Sequence, residues 1–123
     1  MTHFDTNFLI RATVAGSEAD HRFRAWAAAG ENFGISVVAW AEYLCGPVDP
    51  VLASIAKQLV PNREALLVTD AEFSAELFNR TGRRSRSLAD CMIAAVAIRC
   101  GTKLATINLA DFQPFVQHGL VLA

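Results

Sequence analysis

Four acidic residues, far apart along the chain, have the chemistry of a shared carboxylate site. They are Asp5, Glu42, Asp90 and Asp111. Three of them come after short apolar segments that are typical of buried strands, and Asp90 lies in the first turn of a predicted helix. Ligands of an open parallel sheet bind beyond the carboxyl ends of its strands. We therefore expect the four acids to reach the same edge of one sheet.

Such a cluster of carboxylates requires a positive partner. Two unit charges about 4 Å apart repel by about 4 kcal/mol at an effective dielectric constant of 20, and without a cation some of the acids would bind protons. No lysine or arginine occurs between Arg24 and Lys57, so the helix around Glu42 offers no local partner. Glu42 is either solvated or compensated from elsewhere, and a metal ion is the natural candidate. Mg²⁺ and Mn²⁺ suit a site made of oxygen ligands.

The other three acids have alternative roles as caps. Asp5 could cap the short helix that follows it. Ser87 and Asp90 have the spacing of a capping box, and Asp111 could cap the turn that ends at Pro114. A first-turn acid can cap a helix and also hold a cation, so the two roles are compatible for Asp90. On the sequence alone both interpretations stay open.

Short apolar segments alternate with helical ones along the chain. Strands are predicted at residues 2–5, 33–36, 65–69, 103–107 and 120–122. Helices are predicted at residues 6–11, 17–29, 37–45, 49–61, 70–79 and 87–100. This alternation predicts one domain over residues 1–123 with an α/β fold, a three-layer α/β/α sandwich around a mostly parallel sheet of about five strands. The connection between the second and third predicted strands, residues 37–64, contains two helices where one crossover helix would be enough. We expect this helix pair to project from the domain and to be a candidate surface for self-association.

Composition excludes several classes of protein. The 123 residues are 53% hydrophobic and 19% charged, with a net charge of -1, which argues against disorder. No apolar run approaches the roughly 18–20 residues of a membrane span, and no secretory signal is visible, so we expect a cytoplasmic protein. Three cysteines without CxxC spacing indicate reduced core thiols rather than disulfides or a zinc site; they are Cys45, Cys91 and Cys100.

Four segments together resemble the PIN domain family. The segments are Asp5-Thr6-Asn7, Ser36 to Glu42, Asp90-Cys-Met-Ile-Ala-Ala, and Thr106-Ile-Asn108-Leu-Ala-Asp111-Phe112. Each segment alone is a weak signal, but their order and intervals resemble the VapC-type toxins of toxin–antitoxin pairs over essentially the whole chain. The resemblance implies an endoribonuclease that depends on Mg²⁺ or Mn²⁺ and hydrolyses RNA phosphodiester bonds with metal-activated water. It also implies a homodimer and a cognate antitoxin partner.

The resemblance also implies roles for individual residues. Asp5, Glu42 and Asp90 would form the acidic core and hold the metal. Family members often carry Asp where Asn108 stands; Asn108 could still ligate through its carbonyl oxygen, and Asp111 could supply the fourth catalytic carboxylate. The residues that would support the site are Thr6, Asn7, Ser36 and Thr106.

A cluster of arginines precedes the helix of Asp90. Arg80, Arg83, Arg84 and Arg86 fall within seven positions. Because an acidic site repels RNA, we expect this loop to bind the phosphate backbone through contacts that are sensitive to salt and independent of base sequence. The alternative is an ordinary solvated loop, and Arg86 could instead pair with a carboxylate of the antitoxin.

Two other functions remain as alternatives. Asp70 follows an apolar segment that is predicted to be a strand, and therefore resembles the phospho-acceptor of a receiver-type signalling domain. Receivers also place two adjacent acids after the first strand and a lysine after the last, and neither is present. A catalytically inactive PIN-like binding protein is the second alternative, because the fourth acid of the family is replaced by Asn108.

Overall fold

A computed structural model describes residues 1–83 and 88–123. Within them the strands form a single parallel sheet of five, in the order β3-β2-β1-β4-β5. The strands are β1 (Thr2–Phe4), β2 (Phe33–Ser36), β3 (Asn62–Glu64), β4 (Lys103–Ala105) and β5 (Val121–Leu122). Every residue of β1 and β2 is buried, so both faces of the central sheet are covered, as a parallel sheet requires.

Helices connect the strands and supply both covering layers. They are α1 (Thr6–Ala12), α2 (Glu18–Ala28), α3 (Val37–Cys45), α4 (Pro50–Leu59), α5 (Val68–Arg80), α6 (Leu88–Cys100) and α7 (Leu109–Phe112), and a 3₁₀-helix spans Gln113–His118. Helices α1 and α2 pack together, as do α5 and α6. The predicted α/β fold with a parallel five-stranded sheet is confirmed. No helix within the described ranges has the length and apolar character needed to cross a membrane.

Local signals in the sequence placed several helix ends correctly. The Ser17 side chain accepts a hydrogen bond from the Asp20 N–H at 3.0 Å and caps α2. Asp49 caps α4, with Pro50 as its first residue. Gly30 and Gly101 follow α2 and α6 with φ of 86° and 65°, a conformation that glycine adopts without strain. The predicted cap Ser87 lies outside the described residues.

The third strand is not where the sequence predicted it. The strand is Asn62–Glu64, whereas residues 65–67 are irregular and Val68 begins α5. The apolar run at 65–69 is not buried as a strand core, because Leu67 and Val68 are 44% and 77% exposed. An edge strand such as β3 needs little apolar character, so it carried no hydrophobic signal. The fourth strand also ends earlier than predicted, at Ala105.

Asp70 consequently occupies a helix and not a strand end. Its carboxylate accepts the Leu67 N–H at 2.9 Å in the first turn of α5 and pairs with the Arg99 guanidinium, also at 2.9 Å. The residue is 2% exposed. A phospho-acceptor must be accessible at the end of a strand, so the receiver-type interpretation of Asp70 is wrong.

Candidate active site

Asp5 joins the carboxyl end of β1 to the start of α1. It is 3% exposed, and both of its carboxylate oxygens are hydrogen-bonded. Oδ1 accepts the Phe8 N–H at 2.7 Å, and Oδ2 accepts the Thr106 hydroxyl at 2.5 Å. Burial raises the pKa of Asp5, the two hydrogen bonds oppose this rise, and Glu42 and Asp111 add to it. The side chain therefore caps α1, as one interpretation expected, and also faces the other acids.

Thr106, which follows the neighbouring strand β4, contacts the Asp5 carboxylate. Its hydroxyl donates to Asp5 and accepts the Asn108 N–H at 2.9 Å. This pair of hydrogen bonds fixes the direction of the hydroxyl and holds the turn after β4 in place. The hydrogen bond from the Thr106 hydroxyl to Asp5 is the contact expected of a residue that supports the site.

Glu42 projects from α3 and is exposed at the rim of the site. The Thr6 hydroxyl donates to its Oε1 at 2.7 Å, so Thr6 also has the contact that a supporting residue requires. No ion pair to Glu42 is found among residues 1–83 and 88–123. Ser36 does not line the cleft. Its hydroxyl accepts the Ala39 N–H at 3.2 Å and caps α3, the helix that carries Glu42.

Asp90 is half-buried in the first turn of α6. Its pKa is raised to about 7, mostly by burial and in addition by the negative charges of Asp111, Glu42 and Asp5. The acids are therefore close enough to repel one another. Ala94 and Ala97, on the same helix face, are fully buried, and side chains this small allow α6 to pack closely.

The four acids line one cleft of about 210 Å³. Its lining residues are Asp5, Thr6, Asn7, Glu42, Asp90, Ile93, Asn108, Asp111 and Phe112. In the described part of the chain this lining offers carboxylate, amide and hydroxyl oxygens and no basic side chain, which is the donor set that Mg²⁺ or Mn²⁺ prefers. No three His, Cys, Asp or Glu side chains among the described residues are already grouped to hold an ion. The cleft therefore fits a divalent metal ion in the chemistry of its donor atoms and in its charge, but the described side chains do not form a preformed coordination shell.

The cleft also contains groups that the sequence did not reveal. Ile93 and Phe112 supply its apolar lining; Ile93 lies three residues after Asp90, so helical spacing could have indicated it. The Phe8 N–H is a backbone donor and leaves no signal in the sequence. Asp111 contributes from α7, where no side-chain cap is formed, so the turn-capping alternative finds no support.

The predicted arginine cluster is described only in part. Arg80 pairs with Glu76 at 2.7 Å on α5, and Arg83 is exposed with φ of 57°. Neither lines the cleft. Arg84 and Arg86 lie outside the described residues. The structure thus places the two described arginines near the loop before α6 without bringing them into contact with the acids.

Comparison with known proteins identifies the family. The sequence matches the PIN domain family over residues 3–112, and a search of curated protein sequences finds no match. Among solved structures, VapBC2 from Rickettsia felis bound to a DNA fragment of its promoter is similar with a TM-score of 0.77 and 18% identity, covering 99% of this chain and 96% of that one. A toxin–antitoxin complex from Klebsiella pneumoniae is similar with a TM-score of 0.73 and 26% identity, covering 91% of this chain and 90% of that one. FitAcB from Neisseria gonorrhoeae is similar with a TM-score of 0.71 and 18% identity, covering 100% of this chain and 97% of that one. Because the family match spans most of the sequence and includes all four acids of the cleft, the chain belongs to the PIN domain family.

Proposed function

We propose that residues 1–123 form a single PIN domain that acts as a metal-dependent endoribonuclease, the toxin of a toxin–antitoxin pair. The observation that carries this proposal is the cleft itself. Acids from four separate elements, namely the β1–α1 junction, α3, α6 and α7, line one small space. Burial, together with their mutual repulsion, raises the pKa of Asp90 to about 7, and a divalent cation would offset that repulsion.

Asp5, Glu42 and Asp90 would hold the ion, with the Asn108 carbonyl oxygen as a neutral ligand and Asp111 as the fourth carboxylate. When bound, Mg²⁺ or Mn²⁺ lowers the pKa of water and offsets charge on phosphate oxygens. The protein's own contribution is positioning. Thr106 and the Phe8 N–H fix both oxygens of Asp5.

RNA must be brought to an acidic cleft by positive charge elsewhere on the surface. The exposed Arg83, with Arg80 at the end of α5, supports the loop before α6 as a binding surface for the phosphate backbone. We include Arg84 and Arg86 in this RNA-binding loop because of their position in the sequence. Contacts of this kind bind RNA without regard to base sequence.

The partner part of the proposal rests on the similar solved structures, which are toxin–antitoxin complexes. We expect a cognate antitoxin and a homodimer for this chain. Exposed apolar side chains on α3 and α4 support a protein interface there, with Leu44, Val51 and Ile55 exposed by 49%, 70% and 41%. Exposed apolar side chains are typical of interaction sites where they form a contiguous patch.

The decisive experiment is cleavage of total RNA by the purified protein in Mg²⁺, in Mn²⁺ and in EDTA. We expect internal cuts that require the metal and that are lost in Asp5→Asn and Asp90→Asn. Asp49→Asn is the matched control, because Asp49 is an exposed cap of α4 outside the cleft and asparagine can also cap. Cleavage in EDTA, or full activity in both cleft variants, would refute the mechanism. A folded wild type that binds RNA and never cuts it would favour the inactive binding protein.

A further inference from the structure

Arg22, on α2, lies outside the cleft and packs against two aromatic rings. Its guanidinium carbon is 5.3 Å from the ring centre of Phe8 and 4.8 Å from that of Trp26. The two rings stack on each other at 5.7 Å with an interplanar angle of 25°. Both distances lie within the range of cation–π attraction, so the guanidinium is held against the first turn of α1.

The same guanidinium also donates hydrogen bonds to two backbone carbonyl oxygens. One terminal nitrogen donates to the Thr106 carbonyl oxygen at 3.5 Å, and the other donates to the Ala123 carbonyl oxygen at 3.0 Å. The Ala123 N–H in turn bonds the Leu104 carbonyl oxygen at 2.9 Å. Arg22 therefore connects α2 to the end of β4, where Thr106 begins its turn.

These contacts converge on one carboxylate. Phe8 supplies the N–H that binds Asp5 Oδ1, and Thr106 supplies the hydroxyl that binds Asp5 Oδ2. Arg22 touches both of these residues. Phe8 and Thr106 hold the orientation of the Asp5 carboxylate, and partners that orient a metal ligand in this way contribute to metal affinity.

We propose that Arg22 is a positioning residue for Asp5, which sets the metal affinity of the cleft by fixing the two donors that hold that carboxylate. This inference rests on the proposed function. Arginine suits the role because its planar group offers separate directional donors while it stacks on aromatic rings, and lysine does not combine these properties.

The test measures Mn²⁺ binding by isothermal titration calorimetry, independently of catalysis. We expect Arg22→Ala to weaken Mn²⁺ binding roughly tenfold, the low end of what outer partners of metal ligands contribute. RNA cleavage should show a reduced kcat with KM unchanged, because RNA contacts lie elsewhere. Arg24→Ala is the matched control, since Arg24 is on the same helix and its side chain is 71% exposed in a pair with Asp20.

Two further variants keep the proposal falsifiable if Arg22→Ala folds poorly. Arg22→Lys retains the charge near the rings, and we expect it to weaken Mn²⁺ binding measurably but by less than the roughly tenfold loss expected of Arg22→Ala. In a Thr106→Val background, Arg22→Ala should weaken binding by much less than it does alone, because coupled residues are not additive.

The outcomes separate this inference from the function beneath it. A wild type that binds no Mn²⁺ would overturn both. If the wild type binds Mn²⁺ and Arg22→Lys binds it with the same affinity, the role of Arg22 is overturned while the proposed function stands. The same holds if Arg22→Ala and Arg24→Ala lose Mn²⁺ affinity equally.

Discussion

Replacement of Asp90 by asparagine should stabilise the metal-free protein at neutral and alkaline pH. The pKa of Asp90 is about 7 in the folded protein, against an ordinary value of 3.8. The folded state therefore holds this proton more tightly than the unfolded chain does, and the free energy of unfolding falls as pH rises from about 4 to about 7. Asparagine carries no proton to lose, so Asp90→Asn should escape that fall.

The size of the effect follows from the same pKa. Taken in full, the difference from 3.8 to about 7 corresponds to roughly 4 kcal/mol. Asp90 is only half-buried, and solvent screening reduces the figure to about 1–2 kcal/mol. For a domain of this size, 1 kcal/mol shifts Tm by roughly 3–5 °C.

The assay is thermal unfolding in EDTA between pH 4 and pH 8.5, for wild type, Asp90→Asn and the control Asp49→Asn. We expect the Tm of Asp90→Asn to exceed that of wild type by about 4–8 °C above pH 7 and to approach it near pH 4. Added Mn²⁺ should raise the Tm of wild type and have little effect on Asp90→Asn. An Asp90→Asn variant that is no more stable than wild type at pH 8, or equally stabilised at every pH, would refute the electrostatic argument.

Three further results are expected. Arg83→Ala should weaken RNA binding and lower the slope of log affinity against log salt concentration by about 0.7, the contribution of one phosphate contact on a single strand; an unchanged slope in filter binding would exclude Arg83. Thr106→Val should reduce the free energy of unfolding by about 1–3 kcal/mol in urea, because the buried Asp5 carboxylate loses a hydrogen bond, and stability equal to wild type would contradict this. Arg99→Met should cost about 3 kcal/mol by leaving Asp70 buried without its cation, while RNA cleavage per folded molecule stays unchanged; a drop in that specific activity would show that the pair also serves the site.

The convergence of the acids could be predicted because it follows from topology. Once alternating apolar segments indicate a parallel sheet, the carboxyl ends of the strands must lie together, and Asp5 and Asp111 follow two such ends. Glu42 was identified by the lack of any nearby basic residue in the sequence. Neither argument depends on the exact ends of the helices and strands, so both survived the misplaced third strand.

The third strand and Arg22 could not be predicted, for different physical reasons. Strand β3 lies at the edge of the sheet, where burial on both faces is not required, and its Asn-Arg-Glu sequence carries no apolar pattern. The adjacent apolar run was more conspicuous and was assigned instead. Arg22 bonds carbonyl oxygens that are 84 and 101 residues away, and backbone acceptors of this kind leave no mark on residue spacing.

The dual use of the Asp5 carboxylate has a practical consequence for anyone who wants an inactive version of this protein. One oxygen closes the first turn of α1 while the other is bound by Thr106, so truncation to alanine would remove a helix cap worth roughly 1 kcal/mol together with the reactive group. Asparagine keeps an oxygen for the Phe8 N–H. A variant designed to lack the proposed activity should therefore carry Asp5→Asn, because loss of activity in Asp5→Ala would combine the effect of misfolding with that of the missing carboxylate.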